Sequence, residues 1–337
     1  MSGQHVPYQL RTNKFVERQL FLDALDFVRI WNGPTKYVYA SMGGPFLEDF
    51  KLVNDRLAIE AMISIEADEL TWRRQQFNCP FGFVKCENEK SGDFVTRFDK
   101  IVSEHPDGKF IVWLDYANAN ERHTQLQELE SLATKLASGD VVKATLNANA
   151  QSLMKRAEHK SLNNSRFNKL LANELAEQLG EYVPEGGLQS DKLQDADFAH
   201  TLAGCVEIAV NKAIENSELV AIPMVSARYK DGEHQMLTVT TLIADESLAT
   251  KVSQDEHFEK WPFRSATSAA VHFIRVPLLS FRERAAINQL LGAAKHPKEI
   301  HDTLGLRLDE NEGASLELLK GYLSHYRRYP SFAHVSQ

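Results

Sequence analysis

The fold is decided by the stretch KYVYASMGGP, residues 36–45. Its first five residues, 36–40, have the character of a strand, and the two glycines after them permit a sharp backbone turn. Pro45 suits the first turn of a helix, which we expect from about residue 46 to 57. The stretch therefore predicts a strand, a glycine turn and a helix, the opening unit of an α/β sheet.

The same alternation continues through the first half of the chain. Four more strand-like runs, separated by helix-like runs, span residues 61–66, 83–87, 110–116 and 141–146. The run at 110–116 is apolar on both faces, which is typical of an interior parallel strand. Residues 219–228 and 235–243 read as two strands joined by a turn at 229–233. We predict a Rossmann-like α/β fold, with a seven-stranded, mostly parallel sheet closed by an antiparallel hairpin.

Three additions to this sheet are predicted. Apolar residues at helical spacing over 14–30 indicate a helix that leads into the first strand. A segment of alternating charge after the fifth strand indicates a helical insertion. The tail predicts three short helices, of which the first two resemble a helix-turn-helix pair. The predicted divisions are 1–35, 36–275 with the insertion at about 149–196, and 280–337.

Composition excludes several classes of protein. The chain has 337 residues and a net charge of −8, so broad non-specific binding to nucleic acid is disfavoured. No apolar run approaches the roughly 20 residues that span a bilayer. Residues 1–11 lack an apolar signal core, which predicts a cytoplasmic protein. The three cysteines, at 79, 86 and 205, are too scattered for a disulfide framework or a metal knuckle.

Taken together, five strand–helix units, a further helix and a final hairpin resemble the class I S-adenosylmethionine-dependent methyltransferase fold. The resemblance covers roughly residues 36–245. In that family the glycine turn after the first strand cradles the cofactor, and an acidic residue ending the second strand binds its ribose. The end of the third strand meets the adenine, and the end of the fourth faces the methyl acceptor. The resemblance therefore implies S-adenosylmethionine as cofactor and methyl transfer to an acceptor that the sequence does not identify.

Carried over residue by residue, the resemblance implies a cofactor site and a catalytic site. The cofactor site consists of Ala40, Ser41, Met42, Gly43, Gly44, Glu66, Glu87 and Asn88. The catalytic site consists of Asp115, Tyr116 and Asn118. Apart from the family, a carboxylate at the end of a parallel strand, such as Glu66, can accept hydrogen bonds from both ribose hydroxyls. Asp115 can act as a general base, and Tyr116 can stack on the acceptor.

Simpler interpretations of these residues stay open. A tight turn explains two glycines equally well, and Glu66 can be a solvent-facing strand end. Our first choice assigns no metal, but Asp115 with Asn147 or Asn149 could bind a divalent ion. The twelve histidines form no ligand array at metal-binding spacing.

A second hypothesis follows from departures from the family pattern. The two glycines are adjacent, with no carboxylate before them, and the run after the fourth strand lacks the proline pair of amino methyltransferases. These departures favour a non-catalytic binding or sensor protein that recognises a partner protein or nucleic acid. Five basic tail residues could reach phosphates: Lys295, Lys298, Arg307, Arg327 and Arg328. Seven acidic residues interleave with the basic ones, which favours protein contacts instead.

The layout more narrowly resembles the bacterial three-Cys-motif partner proteins. Those join a methyltransferase-like domain to a small winged-helix-like C-terminal domain. The narrower resemblance rests on this architecture and on residues 37–50. It implies a bacterial protein from a defence or mobile-element system.

Overall fold

The structure, a computed structural model, describes residues 10–191, 193–292 and 296–331. The strands are β1 (Lys36–Ser41), β2 (Ala61–Ile65), β3 (Val84–Glu87), β4 (Gly108–Asp115), β5 (Val141–Asn147), β6 (Val220–Asp231), β7 (His234–Ala244) and β8 (Val271–Ile274). The helices of the sheet region are α1 (Thr12–Asn32), α2 (Glu48–Leu57), α3 (Glu69–Asn78), α4 (Ser91–Thr96), α5 (Phe98–Glu104), α6 (Arg122–Ala133), α7 (Asn164–Leu179), α8 (Asp195–Ile214), α9 (Glu246–Gln254) and α10 (Glu256–Glu259). The tail adds α11 (Phe281–Leu290), α12 (Pro297–Leu304) and α13 (Glu312–His325).

These strands form one mixed sheet in the order β3-β2-β1-β4-β5-β7-β6-β8. Strands β1 to β5 pair in parallel, and β7 is antiparallel to both β5 and β6. The Rossmann-like fold and the closing hairpin are therefore confirmed. The predicted number of strands is wrong, because the described sheet has eight. The additional strand is β8, which pairs in parallel with β6 at the sheet edge. Its four residues are too few to give a readable alternation.

The sheet is covered on both faces. Alternate residues of β4 point to opposite faces, as in any strand. Val112 and Leu114 enter the core beneath α4 to α8, whereas Ile111 and Trp113 enter the core beneath α1 and α2. Burial on both faces explains the nearly continuous apolar run that predicted an interior strand.

The helical insertion is confirmed, and the segment after the first glycine turn differs slightly from the prediction. In the insertion, α7 packs Phe167 and Leu171 into the same core as the sheet. The helix expected from residue 46 is instead a 3₁₀ turn, Gly44–Phe46, followed by α2. The cause is Leu47, whose φ of 52° interrupts the helical backbone between the two elements.

The tail docks on the sheet region. Its three helices match the predicted ones, but no strand follows them within the described part of 281–331, so the winged-helix comparison is not confirmed. The Tyr329 hydroxyl donates to the carbonyl oxygen of Pro277, and Arg328 pairs with Asp23 of α1 at 2.6 Å. At the closest point, a Cβ on Gly321 of α13 would lie 1.9 Å from the carbonyl oxygen of Arg275.

This close approach gives a stability prediction. Gly321→Ala forces α13 away from the end of β8, and we expect a loss of about 2–3 kcal/mol, or a fall of several degrees in Tm. The matched control is Gly313→Ala in the same helix, where the new Cβ meets only the Asn311 side chain at 3.2 Å. Because alanine favours helix, that control should keep or gain stability. Equal melting temperatures for the two variants would contradict the close docking of α13.

Candidate functional site

The parallel register brings the ends of three central strands to one edge of the sheet. Ser41 at the end of β1 lies beside Ser64 of β2 on one side and Trp113 of β4 on the other. The glycine turn, Glu66 and Asp115 each follow closely on these positions. The structure therefore places the predicted cofactor and catalytic residues along a single carboxyl edge.

The two glycines serve different purposes. A Cβ on Gly43 would lie 2.4 Å from Leu47 Cδ2 and 2.7 Å from Phe50 Cε2, so this glycine is required for α2 to pack on the sheet. Gly44 has a φ of 54°, in the left-handed region, and open space where a side chain would point. Of the two glycines, only Gly44 therefore has open space beside its backbone.

The remaining residues of this turn are less accessible. Ala40 and Ser41 are buried in the sheet, and Met42 is half-buried against the core. They shape the turn through the backbone rather than through exposed side chains.

Glu66 and its neighbours close the next loop. The carboxylate of Glu66 is half-buried, and its Oε1 accepts a hydrogen bond from the N–H of Asp68 at 2.9 Å. Burial raises the pKa of Glu66, and the Asp68 N–H opposes that shift. The Asn88 amide donates to the Glu66 carbonyl oxygen at 2.8 Å, and the Glu66 N–H donates to the Glu87 carbonyl oxygen. The loops after β2 and β3 are therefore tied together, with Glu66 at their junction.

Asp115, the last residue of β4, meets two cations from α1. Its Oδ2 lies 3.5 Å from Arg18 Nη2 and 3.9 Å from Lys14 Nζ. The guanidinium of Arg18 stacks over the Trp113 ring at 4.5 Å. These side chains are mostly buried, with exposed fractions of 16% for Asp115, 11% for Lys14 and 1% for Arg18.

A second layer of charges lies deeper beneath α1. Glu17 contacts Arg18 at 2.9 Å and Lys143 Nζ of β5 at 2.7 Å. Lys143 also stacks over Trp113 at 3.6 Å. Opposite charges thus compensate one another within a nearly dry interior, which is the condition for burying them at all.

Burial and charge set the protonation of this cluster. Burial alone raises the pKa of Asp115, but the charges of Lys14, Arg18 and Lys143 outweigh it and hold the pKa below its usual range. Burial, assisted by the neighbouring Arg18, lowers the pKa of Lys14 to about 7. At neutral pH, Asp115 is therefore an anion, and a large fraction of Lys14 is an uncharged amine able to accept a proton.

The other two predicted catalytic residues have structural contacts. The Tyr116 ring is buried against α6, and its hydroxyl donates to Glu128 at 2.7 Å. Asn118 Oδ1 accepts from the N–H of Asn120 and so caps the 3₁₀ turn after β4. The structure brings Asp115 into a charged cluster but does not bring Tyr116 or Asn118 into it.

Sequence reasoning missed Lys14, Arg18 and Lys143. The first two fell within the helix predicted over 14–30, of which only the apolar positions were interpreted. Lys143 could have been noticed in the sequence, because it interrupts an apolar run that reads as a buried strand. A buried lysine needs a partner of opposite charge.

The residues considered for a metal or for phosphate contacts are otherwise engaged. Within the described ranges, no group of three or more His, Cys, Asp or Glu could hold an ion. Asn147 Oδ1 and Asn149 Oδ1 accept from the backbone N–H groups of Asn149 and Gln151. In the tail, Lys298 pairs with Asp302 at 3.1 Å.

Two further tail arginines also have neighbours. Arg307 lies 4.0 Å from Glu312, and Arg327 donates to Tyr326. Lys295 lies outside the described residues.

A large cavity lies at the same edge of the sheet but beyond β5. It has a volume of about 950 Å³ and is lined by the ends of β6 and β8, the start of β7, α7 and the segment before α8. Asn13, next to Lys14, belongs to its wall and ties α1 to the edge by accepting from the Val276 N–H at 2.8 Å. The cavity does not include Gly44, Glu66 or Asp115. The edge therefore offers two neighbouring regions, one on each side of Lys14 and Asp115.

Comparison with known proteins decides the family. A family model described as "Putative O-methyltransferase" matches residues 6–337. The chain belongs to this family. The search of curated proteins found no match. Among solved structures, it is similar to the N-methyltransferase NodS from Bradyrhizobium japonicum, at 10% identity and a TM-score of 0.38, over 68% of this chain and 97% of the other.

Two other solved structures are similar to this methyltransferase. Trm1 from Pyrococcus horikoshii, in complex with S-adenosyl-L-methionine, has 10% identity and a TM-score of 0.43, over 91% of this chain and 75% of its own. An O-methyltransferase family protein from Burkholderia thailandensis has 12% identity and a TM-score of 0.33, over 68% of this chain and 60% of its own. The family match, together with the sheet order described above, confirms the class I S-adenosylmethionine-dependent methyltransferase fold expected from the sequence. Among the described residues, no helix is both long and apolar enough to span a membrane.

Proposed function

We propose that this methyltransferase binds S-adenosylmethionine along the ends of β1, β2 and β3 and transfers its methyl group to an acceptor oxygen near Asp115. The observation that supports this most is the register that aligns Gly44, Glu66 and Asp115 at one edge. When bound, the cofactor supplies a sulfonium methyl group that an oxygen nucleophile can displace in line. The protein's task is then to position the reactants and to accept the acceptor's proton.

The residues at this edge fit such a cofactor. The N–H groups of Asp68 and Ala67 both hydrogen-bond the Glu66 carboxylate, which holds it in place and leaves it lone pairs for ribose hydroxyls. Gly44 allows close approach of the backbone. Glu87 and Asn88 lie beside Glu66, where the family places the adenine. Ala40, Ser41, Met42 and Gly43 set the path of the turn.

Proton transfer is assigned to Lys14 with Asp115 as its partner. A carboxylate with a lowered pKa is a weak base, whereas an amine with a pKa near 7 is suited to accept a proton at neutral pH. Asp115 orients Lys14 and compensates its charge after protonation. Tyr116 and Asn118 support the loop that follows Asp115.

Cofactor binding is tested by calorimetric titration with S-adenosylmethionine and S-adenosylhomocysteine. We expect Glu66→Ala to weaken the binding of both ligands by about tenfold or more, because the two charge-assisted hydrogen bonds to the ribose hydroxyls are lost. Glu69→Ala is the matched control, since Glu69 is an exposed carboxylate that pairs with Arg73. Absence of binding to the folded wild-type protein, or equal binding by both variants, would contradict the assignment.

The second hypothesis, recognition of a partner protein or nucleic acid through the tail, stays a prediction. The pairing of Lys298, Arg307 and Arg328 with acidic residues gives it no support. Cytoplasmic location, a bacterial source and a defence system likewise stay predictions.

A further inference from the structure

We propose that the 950 Å³ cavity binds the methyl acceptor, and that this acceptor carries a planar amide-type edge and an anionic group. The role as acceptor rests on the proposed function, whereas the ligand chemistry rests on the cavity itself. A nucleoside monophosphate has both groups and is the class of compound that we assign to the cavity.

The amide edge is inferred from Gln235. This side chain lines the cavity yet is only 1% exposed, and neither Oε1 nor Nε2 has a hydrogen-bond partner within the described part of the chain. An unsatisfied buried amide is costly, so such groups in folded proteins normally meet a ligand, an ion or an ordered water. A carboxamide offers one donor and one acceptor side by side. Its complement is a planar group with an adjacent acceptor and donor, as in the imide of uracil.

The planar shape is inferred from the apolar part of the wall. Phe167, Leu171 and Leu193 contribute buried apolar surface, and Phe273 is a partly exposed ring at the end of β8. Aromatic and aliphatic walls suit the faces of a heterocycle, while Gln235 addresses its edge.

The anionic group is inferred from the cations on the same strands. Arg228, Lys230 and Arg275 all line the cavity, and the Arg228 guanidinium stacks over Phe273 at 3.9 Å. Arg275 is exposed, and the three cations outnumber the one carboxylate of the wall, that of Asp191. Arginine side chains of this kind are suited to bidentate recognition of a phosphate.

The position of the cavity fits an acceptor. Asn13 is part of its wall, and the next residue, Lys14, contacts Asp115 at 3.9 Å. The cavity thus adjoins the assigned base on the side opposite Glu66. The cofactor, which donates the methyl group, and the methyl acceptor would therefore bind in neighbouring regions without sharing a contact residue.

The test is calorimetric titration of the full chain with uridine 5′-monophosphate, in the presence and absence of saturating S-adenosylhomocysteine. We expect saturable binding that S-adenosylhomocysteine does not displace. Uridine and ribose 5-phosphate each lack one of the two groups and should bind about tenfold more weakly or worse. Failure of the nucleotide to bind, or mutual displacement, overturns the inference. Because the S-adenosylhomocysteine titration is separate, that failure is distinguishable from failure of the proposed function.

Variants locate the binding. Gln235→Leu should weaken the nucleotide about tenfold or more without lowering Tm, because leucine removes an unsatisfied amide. Arg275→Gln should weaken the nucleotide and leave uridine unchanged, whereas Arg282→Gln, an exposed arginine outside the cavity, should change neither. A marked fall in Tm for Gln235→Leu with unchanged binding would show that Gln235 is structural and would overturn its assigned role.

Discussion

Asp115→Asn lowers the initial rate of methyl transfer by about 100-fold or more. The substitution keeps the size of the side chain but removes the anion that lies 3.9 Å from Lys14 and 3.5 Å from Arg18. Lys14 then loses its orienting partner, and a protonated Lys14 is no longer compensated. The rate is measured as transfer of labelled methyl from S-adenosylmethionine into a small-molecule cell extract.

Loss of stability alone could also lower the rate, so a matched control is needed. Glu17→Gln removes the other anion that contacts Arg18, and it also leaves Lys143 without its partner. Removing one member of a buried ion pair costs about 3 kcal/mol, so both variants are less stable than the wild type. Assayed well below both melting temperatures, only Asp115→Asn should lose methyl transfer. Similar rates for the two variants would reduce Asp115 to a structural role.

The rate of methyl transfer rises with pH through about 7 and then levels off. The assigned base is the uncharged amine of Lys14. Burial favours this uncharged form, and so do the positive charges of Arg18 and Arg11. Asp115 and Glu17 oppose this shift because they stabilise the protonated form. Below pH 7, Lys14 is protonated and cannot accept a proton, so the rate should fall about tenfold per pH unit. In Asp115→Asn, the residual activity should have its midpoint at lower pH.

Two substitutions of Lys14 distinguish its role as a base from that of a positive charge that only balances Asp115. Lys14→Arg keeps the positive charge beside Asp115 but cannot lose its proton, and Lys14→Met keeps the length without any charge. Both should reduce the rate about 100-fold or more and abolish the inflection near pH 7. Cofactor binding by Lys14→Arg should stay close to that of the wild type. A fully active Lys14→Arg with an unchanged pH profile would exclude Lys14 as the base.

Much of the fold was predictable because the sheet is built from local patterns. The apolar run of β4 and the hairpin of β6 and β7 are visible as strand periodicity and turn residues. β8 was missed because four residues at the edge carry no such period. The wing expected in the tail had no pattern of its own and depended on the resemblance alone.

The candidate site, like the fold, has a part that the sequence predicted and a part that it did not. Glu66 and Asp115 could be named in advance because each ends a recognisable strand, and parallel register must bring such ends together. The side chains that surround these residues could not be predicted from the sequence. Whether Tyr116 faces an acceptor or a helix depends on a contact with Glu128, twelve residues away.

The sequence by itself determined the order of the first seven strands, the glycine turn and the edge at which the site residues lie, since these follow from periodicity and turn chemistry. Only the tertiary structure decided that α1 lays Lys14 and Arg18 on Asp115, and that Gln235 ends beside the cavity. The pKa of Lys14 shows the reason. It depends on burial and on charges from a strand 101 residues along the chain, and desolvation of this kind exists only once distant segments have packed together.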